Sequence, residues 1–120
     1  MATVLIVDDS ASLRTVVKMT LVNAGHIVLE AENGQKALEL LDGRPVNMII
    51  SDVNMPVMGG LEFCAKAKSL QAYKYTPVLM LTTEASDEKK DIGKKAGAAG
   101  WMVKPFSPTQ LLSAVNKLAK

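Results

Sequence analysis

A chain of 120 residues is the length of one ordinary domain, and 48% hydrophobic residues with 22% charged and 4% aromatic describe a globular protein with a mainly aliphatic core. A net charge of +2, from 14 basic and 12 acidic residues, does not announce nucleic acid, and one cysteine, Cys64, excludes an intramolecular disulfide and a zinc-type cluster. The first apolar run, residues 4–7, is too short for a signal-peptide core or a membrane span, so a cytoplasmic protein is expected.

Taken in chain order, the apolar run Val4, Leu5, Ile6, Val7 reads as a strand buried on both faces, as in a parallel sheet. A helix follows, with Leu13, Val16, Val17 and Leu21 at helical spacing, and Gly25 stops it. Residues 27–31 are a weaker strand, and Asn33-Gly34 opens a second helix whose apolar positions are Ala37, Leu38 and Leu41. Residues 48–50 are the third strand, leading to a helix with Leu61, Cys64 and Ala65 inward. Residues 78–81 are the fourth strand. The helix after it, about residues 87–96, is the least apolar, with Ile92 its main buried candidate. Residues 101–103 give a fifth strand, and Ser107-Pro108-Thr109-Gln110 then starts a helix, with Ser107 as cap, Pro108 in the first turn and Gln110 closing a capping box. Strand then helix, five times, predicts an α/β fold with a doubly wound parallel sheet, in a single domain over residues 1–120 with no room for a second.

In such sheets functional groups collect at the carboxyl ends of the strands. Asp8 and Asp9 follow the first strand, Asp52 the third and Lys104 the fifth, while Thr82 closes the fourth. Carboxylates brought close repel by about 4 kcal/mol per pair at an effective dielectric near 20, so a cation is required. Mg²⁺ suits a few oxygen ligands together with phosphate oxygens, and Lys104 adds a fixed positive charge. A carboxylate nucleophile, Asp52, beside a hard cation, a lysine and the Thr82 hydroxyl is equipment for phosphoryl transfer. Asp-Asp after a strand is by itself a common helix-capping pair; the joint pattern carries the reading.

Residues 4–10, 51–56, 81–84 and 103–106 resemble, in order and along the whole chain, the receiver domain of two-component response regulators, and among these the single-domain CheY-like chemotaxis regulators. The resemblance implies a flavodoxin/CheY-like (βα)5 fold with strand order 2-1-3-4-5. It implies Asp52 as phosphoacceptor and Mg²⁺ held by Asp9, Asp52 and the backbone carbonyl of Asn54, with Asp8 acting through a water. Lys104 and Thr82 would contact the phosphoryl group, Thr82 and Trp101 would form the switch, and Asn54 and Glu84 would set the lifetime of the phosphoryl group. The Lys104-Pro105 bond is expected to be cis.

Several positions depart from the family pattern. Trp101 replaces the usual Tyr or Phe, and Val53 replaces a Trp that some members carry. Gly59 replaces the Asp of the turn Met-Pro-x-Met-Asp-Gly, which removes a cap from the third helix.

The expected phosphodonor is a histidine kinase, CheA-like. The expected effector, bound through helix 4, strand 5 and helix 5, is a flagellar motor switch protein, although Lys90 and Ala114 depart from the motor-binding pattern. The chain is read as a monomer that catalyses only its own phosphorylation and dephosphorylation. The lysines 89, 90, 94 and 95 lack interleaved aromatics, so neither nucleic acid nor a membrane is an expected partner. The alternatives are a phosphate sink or phosphorelay intermediate, a Mg²⁺ aspartyl-phosphate phosphohydrolase, which lacks residues here for a cap, and an unphosphorylated scaffold.

Overall fold

The structure, a computed structural model, describes residues 2–83 and 87–119, and of residues 87–90 the backbone alone. The elements alternate: β1 (Thr3–Val7), α1 (Ala11–Asn23), β2 (Ile27–Ala31), α2 (Gly34–Leu40), β3 (Met48–Asp52), α3 (Gly60–Ser69), β4 (Val78–Thr82), α4 (Asp87–Lys95), β5 (Gly100–Val103) and α5 (Pro108–Leu118). A 3₁₀ turn, Gln71–Tyr73, separates α3 from β4. All four strand pairings are parallel and the order is β2-β1-β3-β4-β5, as expected. No helix among the described residues is long and apolar enough to cross a membrane.

The continuous apolar runs have the cause read from sequence. Successive strand residues point to opposite faces, and here both faces are covered. Leu5, Val7, Ile49 and Met80 pack with Phe63, Cys64 and Ala67 of α3 on one face. Val4, Ile6, Ile50, Leu79 and Leu81 pack with Val17 and Leu21 of α1 and Leu111 and Val115 of α5 on the other.

The helix starts follow local chemistry. The Ser10 side chain accepts from the Leu13 amide, Asn33 accepts from Lys36, and Ser107 with Gln110 forms the full capping box. α3 begins at Gly59 without a side-chain cap.

Three inward positions differ from the helical-period reading. Val16 is 56% exposed, because α1 meets the sheet and α5 through Val17 and Leu21. In α3 the buried residues are Phe63, Cys64 and Ala67, leaving Ala65 exposed. In α4 Ile92 is exposed, and among the described side-chain positions, 91–95, Gly93 is the buried one, because Gly93 faces the indole ring of Trp101.

Candidate functional site

The register of the parallel ladder assembles the site. Val7 of β1 aligns with Ser51 of β3, Asp52 with Leu81 of β4, and Thr82 with Val103 of β5. Asp8 and Asp52 are therefore level, Thr82 stands one residue further along β4 and Lys104 one residue past Val103, so all four gather at the carboxyl edge of the sheet. Backbone bonds extend the ladder past the strand ends: Asp8 N donates to Ala31 O at 3.1 Å, Val53 N to Leu81 O at 3.0 Å and Lys104 N to Thr82 O at 2.7 Å. These groups sit on the rigid sheet rather than on free loops.

One carboxylate oxygen from each of Asp8, Asp9 and Asp52 lies within 4.8 Å of the others. Asp8 and Asp52 are buried and Asp9 is exposed. At an effective dielectric near 20, two unit charges at that separation repel by about 3 kcal/mol. Lys104 opposes this: its Nζ stands 3.3 Å from Asp8 Oδ2 and 3.2 Å from Asp52 Oδ1. One ammonium faces three carboxylates, so the cluster keeps an excess of negative charge. The Asp52 carboxyl accordingly has its pKa pushed up, first by burial and next by the charge of Asp8, while Lys104 and the Val53 amide pull it back.

The donor set tests well for a hard divalent cation. Oxygen ligands converge from two strand ends, two are buried and one is open to solvent, and the fixed charge present does not neutralise them.

The other residues singled out from sequence fall as follows. Thr82 is buried beside Lys104 on the next strand, and Asn54 is exposed in the loop after β3. The Lys104–Pro105 bond is cis. Glu84 lies outside the described residues. Trp101 is half-buried, and its ring lies on α4 at Gly93: a Cβ there would come within 2.7 Å of Cζ3 and 2.9 Å of Cε3.

Sequence reasoning missed three features. Gly60 is obligatory, because any Cβ on it would run into the carbonyl of Asp52, and its amide bonds to Val53 O at 2.8 Å. Val57 has φ 69° in a tight turn closed by Met58 N donating to Pro56 O at 2.7 Å, in a conformation nothing about valine signals. Arg14 donates from Nη1 to the backbone carbonyl of Asp8 and pairs with Glu30 of β2, Nε to Oε1 at 3.5 Å. Only its place in the first turns of α1, right after the acidic pair, hinted at this.

Comparison with known proteins bears on the same chain. Residues 4–116 match the response regulator receiver domain. A chemotaxis protein CheY homolog of Campylobacter jejuni is 42% identical over 109 residues, covering 89% of this chain and 84% of the relative. The structure of Vibrio cholerae chemotaxis protein CheY4 superimposes with a TM-score of 0.95 at 51% identity, covering 98% of each chain. The receiver domain of sensor histidine kinase PA1611 from Pseudomonas aeruginosa, 21% identical with a TM-score of 0.90 over 98% of this chain and 96% of its own, shares the fold and has a magnesium ion coordinated in its active site cleft. With the match running from β1 into α5, and CheY homologues similar over most of the sequence, this chain belongs to the response regulator receiver domain family.

Proposed function

We propose that the chain is a CheY-like phosphorylation-activated switch of a two-component system, taking a phosphoryl group from a histidine kinase onto Asp52. The observation that carries the reading is Lys104 Nζ, shared between Asp8 at 3.3 Å and Asp52 at 3.2 Å in a row of acidic strand ends. The Asp52 carboxylate attacks phosphorus, an O–P bond forms, and the N–P bond of a phosphohistidine breaks with the imidazole as leaving group. Lys104 supplies positive charge to the oxygens of the transferred group, and the Thr82 hydroxyl donates to one of them. Hydrolysis of the acyl phosphate returns Asp52 to its carboxylate.

Asp9, Asp52 and the Asn54 backbone carbonyl would hold Mg²⁺, with Asp8 acting through water. When bound, the ion neutralises the carboxylates and the phosphoryl oxygens. The cluster within 4.8 Å supports this assignment.

The chain acts as a cytoplasmic monomer that turns over no external substrate. A CheA-like kinase is its donor, and a flagellar motor switch protein docking on α4, β5 and α5 is its effector; the similarity to chemotaxis regulators supports both. Asn54 and Glu84 set the lifetime of the phosphoryl group, and Thr82 with Trp101 transmits its presence.

The test is intact-protein mass after incubation with acetyl phosphate and Mg²⁺. One added phosphoryl group in wild type, absent in Asp52→Asn and absent with a chelator, is the expected result. No mass gain under any condition sinks the proposal in favour of a scaffold.

A further inference from the structure

Asp8 is held at both ends of its peptide and at its carboxylate. Its amide donates to Ala31 O at 3.1 Å, and its Oδ1 accepts the Ser10 amide at 2.8 Å. Its carbonyl, just past the end of β1, accepts Nη1 of Arg14. Arg14 is fixed in turn. Its amide closes the first turn of α1 on Ser10 O at 3.0 Å, its side chain is 18% exposed, and its Nε faces Glu30 Oε1 at 3.5 Å. Glu30 sits on β2 and takes a second cation, Lys18, at 3.4 Å on its solvent side. The guanidinium thus bridges the end of β1 to the edge strand, beneath a solvent cleft of about 480 Å³ lined by Arg14, Glu30, Lys36 and Glu39. Lysine has one donor centre, whereas the arginine fork reaches two acceptors at once.

We infer that Arg14, anchored by Glu30, is a positioning residue for Mg²⁺: it fixes the Asp8 peptide so that the Asp8 carboxylate stays aimed at Asp9 and Asp52. This rests on the reading of Asp8, Asp9 and Asp52 as a cation site.

Position and charge make opposite demands here. As a mere cation beside an acidic site, Arg14 repels Mg²⁺, and its removal tightens binding. As a mooring, its removal loosens the carboxylate and weakens binding, on the scale of about tenfold known for outer groups that orient metal ligands. The sign of the effect separates the two.

The experiment titrates Mg²⁺ by calorimetry into wild type, Arg14→Gln, Arg14→Lys and Lys18→Gln. The melting temperature in chelator and hydrogen exchange of the Ser10 amide in chelator are read alongside. Lys18→Gln removes the other positive charge paired with Glu30 and leaves the Arg14–Asp8 contact in place, which calibrates the charge effect alone. The expected result is a Kd about tenfold weaker in Arg14→Gln, a weaker Kd also in Arg14→Lys, faster Ser10 exchange in both, and Lys18→Gln equal to or tighter than wild type. If Arg14→Gln does not fold, Arg14→Lys decides, since it keeps the charge and the aliphatic stem. Wild type binding Mg²⁺ normally while the Arg14 variants bind as tightly or more tightly overturns the inference alone; wild type binding no Mg²⁺ overturns the cation reading and the inference with it.

Discussion

Val57 stands in a conformation that its side chain opposes. Its φ is 69°, and the turn is closed by the Met58 amide reaching back to Pro56 O at 2.7 Å. The left-handed region costs an L-residue roughly 1–2 kcal/mol, and a β-branched side chain is the worst occupant after proline. The side chain gives little in return, being 81% exposed. Asparagine tolerates the region through local hydrogen bonding, whereas glycine removes the clash but adds about 0.5–1 kcal/mol of unfolded-state freedom. Val57→Asn is therefore expected to stabilise by about 1 kcal/mol and Val57→Gly by about half of that. For a domain of this size 1 kcal/mol raises the melting temperature by about 4 °C. Thermal and urea unfolding, both in chelator, measure it. Val57→Ala is the control, since it keeps Cβ and loses only the branch, and it should fall well short of Asn. Equal melting temperatures for wild type and Val57→Asn, or an Ala variant as stable as the Asn variant, would refute left-handed strain at this position.

Asp52→Asn should raise stability in chelator at neutral pH. The Asp52 pKa is raised in the folded state, by burial first, so its ionised form costs stability above that pKa, and the cost vanishes below the ordinary carboxylate range near 3.8. The wild-type deficit relative to Asp52→Asn should shrink as pH falls toward 4 and reverse in saturating Mg²⁺; a pH-independent difference contradicts it. Gly93→Ala would gain about 1 kcal/mol of helix propensity, yet the new Cβ, 2.7 Å from Trp101 Cζ3, must displace the ring. The expected outcome is a net loss of about 1–2 kcal/mol with a shifted Trp101 emission spectrum, and a stabilised variant with unchanged emission argues against the packing described. The Cys64 thiol is fully buried and pushed up to about 11 by burial, so native protein at pH 8 should resist alkylation that goes to completion in denaturant. Rapid labelling of the native state would contradict this.

Much of the architecture is legible because the physics that sets it is local in sequence. Unbroken runs such as Val4 to Val7 can be satisfied only by a sheet covered on both faces, and Ser107-Pro108-Thr109-Gln110 encodes its own cap. The positions of Asp8, Asp52, Thr82 and Lys104 follow from those strands, since a parallel sheet places all carboxyl ends on one edge. What failed to show was set by tertiary contact. Ile92 is the most apolar residue of α4, but a glycine lies inward there because a ring on β5 needs the space. Arg14 reads as an ordinary surface charge of α1 until β2 brings Glu30 alongside it. Val57 carries a signal opposed to its conformation, because its turn is held by backbone bonds, Met58 N to Pro56 O and Gly60 N to Val53 O, and not by its own side chain.

The same contacts bear on how a change at Asp52 would reach a partner. A phosphoryl group carries about −1.5 to −2 charges, more than the single charge of the carboxylate it replaces. Lys104, shared almost equally between Asp8 and Asp52, is the cation placed to follow that change. Its amide is bonded to Thr82 O, Thr82 pairs with Val103, and Met80 pairs with Trp101 one repeat back on the same two strands. Trp101 in turn rests on Gly93 of α4. Phosphorylation shifts a population only by interacting differently with two arrangements, and this backbone pairing connects the carboxyl edge of the sheet to the strand pair that carries Trp101. The proposed switch would therefore reach the surface formed by α4 and β5 through the contact between the Trp101 ring and Gly93.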